Sequence, residues 1–177
     1  LKNTPSYSGR YLDSVFDIIL NFLFLITICY ISQTPLWLTL IAFFCIQLQG
    51  TLYNYYYVIL RNKSVGGDTT SKVFEYKTPK ALPGETQQAV NILFKMYTIF
   101  YGTIDKIIHF LDPEAYKVKT FPNWFMTLLS LYGLGFQLLI IALMLPLGWI
   151  DYIAPFFIGY SSLLLVLIAI RKTIIKP

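Results

Sequence analysis

The stretch Gly9-Arg-Tyr-Leu-Asp13-Ser-Val-Phe-Asp17-Ile-Ile-Leu-Asn21-Phe-Leu-Phe-Leu-Ile26 carries two carboxylates straight into an apolar run of membrane grade. The run predicts a helix, and a spacing of four residues puts Asp13 and Asp17 on one face of it. A carboxylate at the centre of a bilayer costs roughly 3 kcal/mol, so an ionisable group at membrane depth marks a functional position. The positive end of the helix dipole accounts for Asp13. It does not account for Asp17, a full turn deeper and one turn before Asn21. Carboxylate oxygens are hard ligands for a divalent cation. One carboxylate of such a pair can also hold metal while the other moves a proton.

The rest of the chain sets that pair in a membrane. Its 177 residues are 56% hydrophobic and only 13% charged, against about 25% charged in a soluble domain. Soluble classes are thereby excluded, and the expected fold is all-α, a polytopic membrane helix bundle in a single domain over 1–177. Four apolar runs stand out, at 15–31, 36–60, 124–147 and 153–170, giving expected spans at about 12–32, 36–60, 122–147 and 152–171. Each is close to the roughly 17–25 residues that cross a bilayer.

Lys and Arg orient the spans. Lys2 and Arg10 precede the first. Arg61, Lys63, Lys72, Lys77 and Lys80 follow the second, Lys117 and Lys119 precede the third, and Arg171, Lys172 and Lys176 follow the fourth. The two short turns, 32–35 and 148–151, have none. Both termini and the long middle segment are therefore expected in the cytoplasm. This asymmetry, with attraction to anionic lipid, explains the net charge of +5 without nucleic acid. Cys29 and Cys45 lie inside apolar runs without metal-ligand spacing and read as small buried residues. The start of the chain lacks the pattern of a cleavable signal peptide. It begins with Leu, which suggests a fragment.

The segment 61–120 reads as an insert in two parts. Residues 61–85, with Gly66-Gly67, Pro79 and Pro83, read as a polar linker. Residues 86–111 predict an amphipathic helix, ended by Asp112-Pro-Glu. Its polar residues Gln88, Asn91, Lys95, Thr98, Gly102, Asp105 and His109 form one narrow stripe. That stripe suits a helix lying in the membrane interface, or one lining a polar cavity. The charge distribution favours an in-plane or re-entrant course over a spanning one. Asp105 and His109 form another i,i+4 pair, for which solvation is a simpler reading than metal.

A second stripe lies on the second span, through Gln47, Gly50, Thr51, Asn54, Tyr57 or Val58, and Arg61. Interhelical hydrogen bonding explains it. So does one wall of a cytoplasm-facing cavity with Arg61 on a phosphate. Tyr53, Tyr55, Tyr56 and Tyr57 fit an interfacial aromatic belt better than a binding box. In the third run, Thr127, Ser130, Gly133, Gly135 and Gln137 suit close helix packing.

Gly9-x3-Asp13-x3-Asp17 resembles the second half of the signature of the CDP-alcohol phosphotransferase (CDP-alcohol phosphatidyltransferase) family, D-x2-D-G-x2-A-R-x8/9-G-x3-D-x3-D. In that register the Arg of the first half falls immediately before Leu1. The family has six membrane helices, so the four runs would be its helices three to six. The resemblance implies a phospholipid-synthesis enzyme that transfers a substituted phosphate group from a CDP-linked donor to an alcohol acceptor, releasing CMP with Mg²⁺ or Mn²⁺ as cofactor. It assigns Asp13 to metal, Asp17 to the general base with a share in the metal, and Gly9 to close approach of the nucleotide. Arg10 and Arg61 are weaker candidates for phosphate contacts. The partners implied are the lipid bilayer, the CDP-linked donor, the alcohol acceptor and, in an assembly, a second copy as a homodimer. Two other readings remain open: an inactive membrane scaffold related to the family, and a small transporter, for which the chain shows no paired broken helices.

Overall fold

A computed structural model describes residues 5–63, 75 and 77–175. Helix α1, Tyr7–Ser32, starts where Ser6 turns extended and its side chain accepts the Gly9 N–H at 3.0 Å. This satisfies one of the free N–H groups of the first turn. Gly9 has a local reason to be glycine, because a Cβ there would stand 3.1 Å from the Ser6 hydroxyl oxygen and crowd the cap. The helix ends at Gln33, in the left-handed region at φ 54°. Pro35 opens the next helix, its carbonyl accepting from the N–H groups of Leu38 and Thr39.

Helix α2 is Leu36–Lys63 and α3 is Gln87–Leu111, capped by the Thr86 side chain. A short 3-10 turn, Ala115–Lys117, leads to α4, Asn123–Ser130, and α5, Leu134–Met144. A second such turn, Ile150–Tyr152, runs into α6, Ile153–Tyr160, and α7, Ser162–Ile174. The described residues contain no strand. Three helical stretches are long and apolar enough to cross a membrane: Tyr7–Ser32, Leu36–Lys63 and Ile150–Ile174. The pair α4 and α5, bent by 47° at Leu131–Gly133, makes a fourth if counted as one. Leu12, Phe16, Leu20, Leu23 and Phe24 leave α1 with an exposed apolar side. Such a side suits lipid rather than water.

Two clusters hold the spans together. Leu25 and Ile28 of α1 pack with Ile46, Met144, Ile153 and Phe157 near one end. The larger cluster gathers Tyr55, Tyr56, Ile108, Phe125, Leu129 and Ile168 from four helices. Between them runs a buried amide chain. Gln137 donates to the Gln49 side-chain carbonyl at 3.1 Å, and Gln49 donates to the Ser161 hydroxyl at 2.7 Å and the Phe157 carbonyl at 3.1 Å. Gln137, expected only as a packing residue, thus ties α5 to α2, and Gln49 ties α2 to the end of α6. In an apolar bundle such bonds fix which helix faces meet.

Helix α3 crosses the end of the α1–α2 hairpin. Its first half packs on Tyr7 and Tyr11, and its Tyr101 hydroxyl donates to the Ser14 carbonyl at 3.2 Å. Its last residue, Leu111, leads into Asp112, which is fully buried and meets three elements at once. Arg171 of α7 forms an ion pair with the Asp112 carboxylate and donates a second bond to it through Nε. Tyr56 donates to the same carboxylate at 2.6 Å, and Tyr55 donates to the Asp112 backbone carbonyl at 3.0 Å. The tyrosine run expected as an interfacial belt is therefore divided. Tyr55 and Tyr56 face the core, while Tyr53 and Tyr57 stack on each other at 5.8 Å and Tyr57 is 39% exposed.

Glu85 ties the segment before α3 to the start of α1. One of its carboxylate oxygens accepts from the Ser6 hydroxyl at 2.8 Å, the Ser8 N–H at 2.6 Å and the Ser8 hydroxyl. Burial acts to raise this carboxyl, but the bonds from Ser8, Ser6 and the Leu82 N–H outweigh it and hold it at about 2. A carboxyl depressed in the folded state stabilises it fully above its ordinary value near 4.5, and that contribution fades as pH falls towards 2. Detergent-solubilised protein is expected to lose thermal stability over that window. Glu85→Gln should flatten the profile there; an unchanged profile would show that the cap contributes nothing.

Candidate functional site

Asp13 and Asp17 lie on α1, one turn apart, with Asp13 exposed and Asp17 half-buried. Tyr101 stands beside them on α3. Burial raises its phenol, and the charges of Asp17, Asp105 and Asp13 raise it further. The α1 carboxylates and Asp105 of α3 therefore act on one phenol from two helices. Among the described residues, no group of three or more His, Cys, Asp or Glu is placed to hold a metal ion. The Asp13–Asp17 pair supplies at most part of a ligand set.

Arg10 is already engaged. Its guanidinium pairs with Glu75 at 2.5 Å and lies over the Tyr11 ring, 4.5 Å from the centroid. Tyr11 donates to the other Glu75 oxygen at 2.6 Å. Before Arg10 can hold a phosphate, as the sequence suggested, Glu75 must release it. Arg61 is exposed on the last turn of α2.

The two polar stripes meet. A cavity of about 330 Å³ lies between α2 and α3, with Thr51, Asn54 and Val58 on one wall. Thr98, Gly102, Asp105 and His109 stand on the other, and Phe94, Tyr97 and Glu75 also line it. Gln88 and Asn91, the early part of the α3 stripe, are exposed to solvent. Gln47, Gly50 and Arg61 are not among the lining residues. Thr51 is only 5% exposed, and its hydroxyl has no hydrogen-bond partner among the described residues. The i,i+3 and i,i+4 spacings announced both stripes. That they face each other follows from how α3 crosses the hairpin.

Asp105 is the cavity's most perturbed acid. Burial raises its carboxyl to about 6; the Tyr97 hydroxyl, donating at 3.3 Å, opposes this, Glu75 adds to it and Arg10 reduces it. A folded-state value above the ordinary 3.8 means that the native chain binds this proton more tightly than the unfolded one. Stability from this residue therefore falls as pH rises from about 4 to 6, and the penalty persists above. Asp105→Asn is expected to raise the unfolding midpoint at pH 7 and to match the parent chain below pH 4. Equal midpoints at both pH values would show that Asp105 is solvated.

Comparison of the chain with models of known families, with characterised proteins and with solved structures finds no match.

Proposed function

We propose that this chain carries the catalytic carboxylates of a membrane phosphotransferase that moves a substituted phosphate group from a CDP-linked donor to an alcohol and releases CMP. The observation that carries the reading is the pairing of Asp13 with Asp17, one turn apart near the start of a membrane-grade helix that has Gly9 in its first turn. The Lys and Arg distribution supports placing that mouth at the cytoplasmic surface. The same reading makes α4 and α5 one bent span, the third of four, and lays α3 in the interfacial plane. Its packing across the polar end of the α1–α2 hairpin supports this.

In this reaction the acceptor oxygen forms a bond to the phosphorus of the donor, and the phosphorus–oxygen bond to CMP breaks. The acceptor proton must leave as that bond forms. Asp17 is the group assigned to take it, and Asp13 the group assigned to metal. Two aligned carboxylates offer oxygens of the kind Mg²⁺ or Mn²⁺ prefers, and the remaining ligands would belong to the D-x2-D-G-x2-A-R half of the signature. A divalent ion bound there neutralises diphosphate charge and polarises the attacked phosphorus. Gly9 and Arg10 lie just over two and nearly two helical turns before Asp17, where the resemblance places the nucleotide.

The test has two parts. The residues preceding Leu1 in the complete protein should read D-x2-D-G-x2-A-R. The complete protein in lipid should release CMP from a CDP-linked donor when a divalent cation and an alcohol are present. A different upstream sequence, with no CMP release across a panel of donors and acceptors, would leave a non-enzymatic scaffold as the better reading. Substrate passage into sealed vesicles without CMP release would indicate transport.

A further inference from the structure

The connection from α3 to α4, residues 112–122, lies at the end of the bundle where α2, α3 and α7 finish. It is anchored there. Asp112 pairs with Arg171 in the last turn of α7, and the Lys63 ammonium at the end of α2 donates to the Tyr116 carbonyl at 2.6 Å and to the Val118 carbonyl. Ala115, Val118 and Phe121 are buried in one cluster with Ile168 and Ile175. With Val118 and Phe121 turned inward, Lys119 is left exposed between them, as are Lys117 and, one residue beyond Arg171, Lys172. The positive-inside rule needs only the number of cations on one side of the membrane. Here the cations also have set places, because the backbone that carries them is fixed.

Charge names the partner. The Asp112 and Arg171 charges cancel, and Glu114 is bonded to Lys117 at 2.7 Å. That bond and the Lys117 charge hold the Glu114 carboxyl below the usual carboxylate range; burial opposes them, and the charge of Lys172 adds to them, which puts Lys172 nearby. Among the described residues, Lys119 and Lys172 form no ion pair. The surface therefore keeps an excess of positive charge. Three exposed rings accompany it: Phe110 is 83% exposed, Tyr116 46% and Trp124 47%. Aromatic rings at the ends of membrane helices sit at headgroup level, and a lysine there lays its stem on apolar surface while its ammonium reaches a phosphate. An acidic protein segment would satisfy the ammonium groups alone. The edge of a bilayer satisfies both the ammonium groups and the rings, and it already surrounds helices of this length.

We propose that the α3–α4 connection is a seat for anionic phospholipid, with Lys117, Lys119 and Lys172 on the headgroup phosphates and Trp124 beside them. The proposal holds whether or not Asp13 and Asp17 catalyse transfer. Trp124 supplies the readout. The chain has three tryptophans, and Trp37, in the first turn of α2, and Trp149, before α6, stand at the opposite end of the bundle. Trp37→Phe with Trp149→Phe leaves Trp124 as the reporter. The full chain carrying that pair is placed in nanodiscs of zwitterionic lipid, with a minor share of phosphatidylglycerol or of phosphatidylcholine brominated near the headgroup. Quenching of Trp124 should favour phosphatidylglycerol about fivefold, the equivalent of about 1 kcal/mol. Changing Lys117, Lys119 and Lys172 together to Gln should bring the ratio to about one. These side chains are exposed, so the fold and its helical circular dichroism should persist. Changing Lys77, Lys80 and Lys95 to Gln removes the same charge from exposed positions elsewhere and should leave the ratio near fivefold. Equal quenching by the two lipids, an unchanged ratio in the first triple variant, or an equal loss in the second would overturn the proposal.

Discussion

Asp112→Ala is expected to cost about 3–5 kcal/mol of stability, the range found when one member of a buried ion pair is removed. Asp112 is fully buried and the Arg171 side chain is 3% exposed, so the guanidinium left behind has no ready access to water. The Tyr56 hydroxyl loses its acceptor in the same change. The damage concentrates at the junction of α2, α3 and α7, because Asp112 is the point where the chain leaving α3 is pinned to the last helix. Equilibrium unfolding in mixed micelles measures it. The companion experiment is Asp112→Leu combined with Arg171→Met, which replaces both charges with apolar volume and should recover most of the loss. A cost under about 1 kcal/mol for Asp112→Ala would mean that water reaches the pair.

Asp17→Asn is expected to lower CMP release by the complete protein by roughly 10²–10⁴-fold, the contribution of a positioned general base. The amide keeps the shape of the carboxylate, so the protein should remain folded. The dependence on Mg²⁺ concentration separates the two roles. Loss of a base lowers turnover at saturating metal, whereas loss of a ligand moves the concentration at which metal saturates. Asp13→Asn should show the second pattern. Full turnover by Asp17→Asn would remove Asp17 from the base role.

Much of the helical framework is legible in the sequence. The α1–α2 turn falls at Gln33–Pro35, within the predicted break at 32–35. Residues 86–111 were predicted as a helix and α3 is Gln87–Leu111, with Asp112 at its end as expected. Helix caps and turns are local, and a few neighbouring residues decide them. The candidate site was legible only as separate stripes. Thr51 and Asn54 announced themselves on one helix, and Thr98, Asp105 and His109 on another. Nothing in either spacing said that they would share a cavity. The tyrosine run misled for a related reason. Four tyrosines within five residues must point several ways around a helix, so Tyr55 and Tyr56 turned inward while Tyr57 stayed at the surface.

By itself the sequence determined that this chain makes apolar helices of membrane length, where the turns fall, and which residues share a helical face. Those properties depend on composition and on a period of 3.6 residues, both of which act over a few turns. Only the tertiary structure decided that Asp112 meets Arg171 across 59 residues and that Gln49 meets Gln137 across 88. It alone brought the polar faces of α2 and α3 onto one cavity. Such pairings depend on how each helix is rotated and crossed against its neighbours. Packing and buried polar bonds throughout the bundle settle that jointly, and no local stretch encodes it.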